Sequence, residues 1–216
     1  MGRLYCYLTP TQFLEKSFPM PLVPPLPLGA DAEVAELANF FNTTLGFPPN
    51  SVLTMQRRPE IARAFIALNK AVMTNDGRIT SEQKRLVALI ASHAAGCRYC
   101  QAHTALAAER FGASSERLAA LWSYQTSELF TDAEKAAFDL ALAGAMQPSG
   151  IEPPLMERVR QHWDDGEIVE LMGVIALFGF LNRWNDGMGT VLEGPAREAG
   201  ARHLGSARWS AGKHGK

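Results

Sequence analysis

Apolar residues recur along this chain every three or four positions, and nowhere do they alternate convincingly with polar ones. That period marks helices packed by one face, so the pattern predicts an all-α domain. Val34, Leu37, Ala38 and Phe41 lie on one face of a first helix over 31–45, closed by Gly46-Phe47-Pro48-Pro49. Ile61, Phe65, Leu68 and Val72 form the stripe of a second, with Pro59 at its first position, where a missing N–H is tolerated. Three capping boxes open further helices: Thr80 with Gln83, Thr131 with Glu134, and Asp164 with Glu167. Ser114 and Pro153-Pro154 start two more. Residues 168–181 are apolar nearly all round, which places that helix at the centre. About seven or eight helices joined by short links predict a bundle.

Both ends break the pattern. Phe18 to Leu28 holds five prolines in eleven residues, which predicts an extended arm. Its Leu22, Val23, Leu26 and Leu28 call for an apolar surface, on its own subunit or on a neighbour's. Residues 196–216 are rich in Gly, Ala, Ser and basic side chains and read as a flexible basic tail, with Trp209 as the one residue suited to docking. The division expected is therefore an arm over 1–30, a helical domain over 31–195, and a tail over 196–216.

Composition narrows the function class. The chain has 216 residues, 47% hydrophobic and 20% charged, ample for a buried core. A net charge of −1 argues against nucleic acid or anionic lipid as the partner. The longest apolar run, Leu171 to Leu181, is far short of the roughly 20 residues a bilayer needs, so no membrane is expected. The first residues lack the pattern of a secretory leader, and three cysteines are too few and odd for a disulfide framework. The expected location is cytoplasmic, in a reducing compartment.

The chemistry concentrates in 80–112, which carries Cys97, Cys100, His93 and His103. Ala95-Gly96 interrupts one helix, and a second resumes at Cys97. Cys97 and Cys100 then share the opening turn, where free N–H groups and the dipole stabilise a thiolate. His103, three residues on, lies on the same face as Cys100. Two thiols and an imidazole in this spacing form a redox site: one sulfur is oxidised, the other resolves it, and the histidine moves protons. Two other readings stand beside it. The cysteines can be small buried core residues. Cys97, Cys100 and His103 can hold a metal, although a structural zinc site needs four ligands and no second C-x-x-C or H-x-x-x-H exists. No metal or other cofactor is expected. His93, one turn before Cys97, is a rival proton carrier.

Gly96-Cys97-Arg98-Tyr99-Cys100-Gln101-Ala102-His103-Thr104, behind an amphipathic helix, resembles the core motif of the alkylhydroperoxidase D-like (AhpD-like) proteins of the carboxymuconolactone decarboxylase superfamily. The closest likeness is to its peroxidase-related group. Ile168 to Gly189, with Asn182-Arg183-Trp184-Asn185-Asp186, resembles that group's closing helix. The resemblance implies an AhpD-like helical fold, a homo-oligomer, and reduction of a small hydroperoxide at the expense of a dithiol protein reductant. It implies that Cys100 attacks the peroxide, that Cys97 resolves, and that His103 belongs to a proton relay. The sequence departs from the group in two ways. One residue fewer separates the second cysteine from the histidine than in the best-known member. The relay glutamate expected twelve residues before Cys97 falls on Arg85, which leaves Glu82, one turn earlier, as the nearest substitute. Alternative functions on the same scaffold are a decarboxylase, lactone-acting lyase or isomerase that does not need the cysteines, and a redox-sensing oligomer without turnover.

Overall fold

The computed structural model describes residues 21–74, 77–205 and 208–215, and among them it contains ten α-helices and no strand. In chain order these are α1 (Ala32–Thr44), α2 (Asn50–Met55), α3 (Pro59–Met73), α4 (Ser81–Ala94), α5 (Arg98–Arg110), α6 (Ser115–Ala120), α7 (Asp132–Gly144), α8 (Pro153–Arg160), α9 (Asp165–Met188) and α10 (Gly194–Leu204). All three expected capping boxes form, at the starts of α4, α7 and α9. Ser114 caps α6, and prolines sit in the first turns of α3 and α8. The helical class and the AhpD-like bundle are as the sequence implies.

The core is built around α5, which packs on α4, α9 and α10. Its buried face is mostly alanine (Ala102, Ala105, Ala107 and Ala108), so neighbouring helices approach closely. From α9 come Leu171, Val174, Ile175, Leu177, Phe178 and Leu181, all buried, each contributing about 1.5–3 kcal/mol by leaving water. Lys84 pins the opening of α4 in place. Its fully buried ammonium donates to the carbonyls of Val72 and Thr74, at 2.8 and 2.5 Å, and pairs with Glu170 of α9.

Two expectations change. Among the described residues the helices number ten rather than seven or eight. Much of the supposed basic tail is ordered as α10, which buries Ala196, Ala199, Gly200, His203 and Leu204 against α5 and α6. Small side chains do this by close approach, without the bulky stripe that betrays a helix in sequence. Trp209 does dock. Its ring lies where a Cβ on Gly200 would come within 2.6 Å, and its Nε1 donates to the Arg98 carbonyl at 3.3 Å. The arm, where it is described, lies on its own chain. Leu26 N donates to Leu53 O, Gln56 reaches the carbonyls of Leu26 and Pro27, and Leu22 N donates to Met188 O. Residues 1–20, with Cys6, lie outside the described residues. No described helix is long and apolar enough to cross a membrane.

Candidate active site

The break between α4 and α5 sets the site's geometry. Gly96 takes φ +75°, a left-handed conformation that costs glycine little, and turns the chain so that Cys97 N donates to Ser92 O at 3.2 Å. Cys97 is thereby the N-cap of α5. Its sulfur accepts from the amide of Cys100 at 3.5 Å. The two thiols are free, buried, and within hydrogen-bonding reach of each other. The Cys100 thiol donates toward the Cys97 sulfur. With the Cys100 amide, that outweighs burial and holds the Cys97 thiol below its ordinary pKa. Cys100 moves the other way. Burial first, then the neighbouring Cys97, push its thiol well above the ordinary value, against a lowering hydrogen bond from Asn185. Of the two, Cys97 is therefore the more readily ionised, whereas Cys100 was expected to be the thiolate.

Cys100, not Cys97, lines a cavity whose walls include Phe41, Phe65, Met73, Phe178 and Leu181. The cavity has a volume of about 70 Å³. Asn185 of α9, almost fully buried, also lines it and donates Nδ2 to the Cys100 sulfur at 3.4 Å. This asparagine stands in the closing-helix motif.

His103 lines the same cavity, one turn from Cys100. Its ring stacks on Tyr99, with centroids 4.1 Å apart, and meets Phe47 edge-on. Nδ1 lies 3.1 Å from the Tyr99 carbonyl. A carbonyl can only accept, so Nδ1 carries a proton and Nε2 is the nitrogen left to exchange one. Nε2 faces Glu193 Oε2 at 2.9 Å, close enough for a charge pair but out of line for a hydrogen bond. The other oxygen of Glu193 accepts from the Tyr99 hydroxyl at 3.0 Å and from the Asn50 amide. Burial would raise the Glu193 carboxyl, but the charge of His103 and the Asn50 amide prevail and hold it below the usual carboxylate range. Tyr99 is pushed well above its ordinary value, by burial and then by the Glu193 charge, so it remains a donor.

The carboxylate on the histidine is thus Glu193, not Glu82. Glu82 pairs with Arg117 at 2.8 Å, beside Glu134, and does not line the cavity. The helix register explains this, because Glu82 faces α6 and α7 rather than α5. His93 packs its ring on Trp122, with centroids 4.5 Å apart, also away from the cavity. Glu193 escaped the sequence reading because it lies ninety residues from His103, just beyond the closing-helix motif. Its one signal is an isolated acid between Leu192 and Gly194-Pro195. Arg85, which replaces the expected glutamate, does line the cavity. No cluster of three His, Cys, Asp or Glu side chains fit for a metal exists among the described residues. What the site can do chemically is exchange two electrons through adjacent sulfurs, with a proton carrier alongside.

Residues 59–143 match the Carboxymuconolactone decarboxylase family. The uncharacterized protein YnjA of Escherichia coli (strain K12) is 32% identical over 102 residues, which span 47% of this chain and 56% of YnjA. The solved structure of the debrominase Bmp8 is similar with a TM-score of 0.77 and 31% identity, over 84% of this chain and 97% of that one. A cysteine-to-alanine variant of Bmp8 in complex with 2,3,4-tribromopyrrole is similar with a TM-score of 0.76 and 30% identity, over 82% of this chain and 95% of that one. An alkylhydroperoxidase AhpD core, an uncharacterized peroxidase-related protein from Ralstonia eutropha JMP134, shares the fold at a TM-score of 0.68 and 22% identity, over 81% and 94% of the two chains.

Proposed function

Because this chain belongs to the AhpD-like and carboxymuconolactone decarboxylase superfamily, whose members include enzymes, we propose that it is a thiol-dependent reductase that turns over hydroperoxides through Cys97 and Cys100. The observation that carries the reading is the arrangement of the two sulfurs. Both are free thiols joined through the Cys100 amide that donates to the Cys97 sulfur, yet only Cys100 opens onto the cavity, beside His103.

The reaction balances on these groups. Cys100 sulfur attacks the terminal peroxide oxygen, the O–O bond breaks, and the alkoxide leaves as alcohol with the proton Cys100 gives up. Cys100 is now a sulfenic acid. The Cys97 sulfur attacks that sulfur and forms the disulfide, and the proton Cys97 gives up reaches the departing hydroxide by way of His103 Nε2, making water. An external dithiol reduces the disulfide and restores both thiols. Glu193 keeps His103 oriented, with Nε2 facing its carboxylate.

The test is tert-butyl hydroperoxide consumption with dithiothreitol as reductant. Many equivalents consumed per protein, with Cys100→Ser inactive, is the expected result. Wild-type turnover by Cys100→Ser would refute the mechanism. Consumption that stops at one equivalent would reassign the protein as a redox sensor.

A second reading rests on the likeness to Bmp8, which spans nearly all of that protein at a higher identity than the AhpD core shows. The same two thiols can supply two electrons to a carbon–halogen bond: a sulfur takes the bromine, carbon takes a proton, and disulfide closure expels bromide. Bromide release from 2,3,4-tribromopyrrole, run beside the peroxide assay, separates the two.

A further inference from the structure

The cavity has a second polar end. Arg85 projects from α4 into an apolar wall and is 4% exposed. Among the described residues no carboxylate pairs with it. Its Nη1 donates to the Ser81 carbonyl of its own helix at 2.7 Å, and its plane stacks on Phe111 at 3.6 Å. Nε is buried without a partner. Nε and Nη2 form the side edge of the guanidinium, the donor pair that matches the two oxygens of a carboxylate. Asn69 of α3 lines the same cavity, is 8% exposed, and likewise has no hydrogen-bond partner for its side chain among the described residues. Burial alone lowers the Arg85 pKa to about 10, so it stays charged at neutral pH. A buried cation facing an apolar cavity with its best donor edge unused lacks an anion.

We propose that Arg85, with Asn69, seats a carboxylate of the substrate, so that the reductase acts on amphipathic acids whose reactive group reaches Cys100. This deepens the reading of Cys97 and Cys100 given above and rests on it for the chemistry. One guanidinium edge suits a monoanion, and no second lysine or arginine lines the cavity to balance a phosphate dianion. Cys100, Thr104 and Ala107 of α5 all line the cavity, a span of about 10 Å at 1.5 Å per residue. Arg85 stacks on Phe111, one turn beyond Ala107, so the carboxylate lies at the end away from the sulfur. The apolar walls between accept a chain or a ring. At the position where the resemblance expects a glutamate, the charge is inverted, and an acid that glutamate would repel is attracted.

Calorimetric titration of the reduced full-length chain with octanoate, and separately with 1-octanol, tests the seat without any turnover. Octanoate should bind the wild type at least about 10-fold more tightly than the alcohol, the scale of one desolvated charge-assisted pair. Arg85→Gln should erase the preference while leaving 1-octanol binding unchanged, and Arg85→Lys should keep part of it. Equal affinities in the wild type, no binding of either probe, or an undiminished preference in Arg85→Gln would overturn the proposal. If Arg85→Gln fails to fold, the wild-type comparison alone decides. A neutral hydroperoxide reports on the thiols separately. Octanoate binding without peroxide turnover keeps the seat and removes the reductase, and the converse does the reverse.

Discussion

Glu193→Gln isolates what a carboxylate does beside His103. Glutamine keeps the shape, and its carbonyl still accepts from the Tyr99 hydroxyl and the Asn50 amide. Those two bonds drop from charge-assisted to neutral, a loss of about 1 kcal/mol each. The pair with His103 is lost as well. That loss is about 1 kcal/mol, the scale of one charge-assisted contact. The sum is about 3 kcal/mol, or about 6–12 °C in Tm for a chain of this length. The pH dependence follows from the direction of the shift. Because the folded protein holds Glu193 below its ordinary pKa, its contribution is complete above the unfolded carboxylate value of about 4.3 and disappears as pH falls through the folded value. The Tm gap between wild type and Glu193→Gln should therefore be full at pH 7 and close below about pH 4. Peroxide turnover at pH 7 should fall about 10-fold to 100-fold as the proton carrier loses its support. A gap under about 2 °C at pH 7, or one that persists unchanged in acid, would refute this account of the site's electrostatics.

Two further perturbations address the surroundings. Asn185→Leu removes the amide that donates to Cys100 and leaves burial unopposed, so peroxide oxidation of Cys100, followed by sulfenic acid trapping, should slow about 10-fold with the fold intact by circular dichroism. Gly200→Ala places a methyl 2.6 Å from the Trp209 ring, which must leave its seat. Red-shifted tryptophan emission and faster proteolysis beyond residue 205 are expected, and an unchanged spectrum would show that Trp209 is not held there.

What the sequence made legible was whatever local chemistry encodes. The capping boxes at Thr80, Thr131 and Asp164 depend on residues three apart, and each formed as written. The break at Gly96 and the placing of Cys97, Cys100 and His103 along the first two turns of α5 are likewise short-range. The relay acid was not legible, because proximity to the cysteines along the chain favoured Glu82. A long-range fold instead delivers Glu193, held by an amide from α2 and a hydroxyl from α5. α10 was hidden for another reason. Its buried face of Ala196, Ala199 and Gly200 has little hydropathy and relies on closeness to α5. The order of acidity within the pair was also out of reach, since it depends on which sulfur caps the helix and which faces hydrocarbon.

That order gives Cys97 a task earlier than disulfide closure. A thiol raised by burial is rarely ionised at neutral pH, and its greater nucleophilicity recovers less than half of that deficit on a logarithmic scale. Cys100 can attack efficiently only if something stabilises its thiolate as the proton leaves. The Cys97 sulfur lies beside it and is the more readily ionised of the two, so its thiolate can accept the Cys100 proton and then donate a hydrogen bond to the new thiolate. Asn185 is the other donor in place. Cys97→Ala relieves Cys100 of the neighbour that helps raise its thiol, but it also removes the proton acceptor and one of the two donors to the new thiolate, leaving the amide alone. A lost hydrogen bond to a charged sulfur is worth about 1.5 kcal/mol, so the first oxidation should slow about 10-fold. Single-turnover kinetics with tert-butyl hydroperoxide and a sulfenic acid trap, in a Cys6→Ser background, read that step before any disulfide can form. If sulfenic acid appears in Cys97→Ala at the wild-type rate, Cys97 acts only as the resolving thiol, and the resting charge distribution of the pair has no part in the attack.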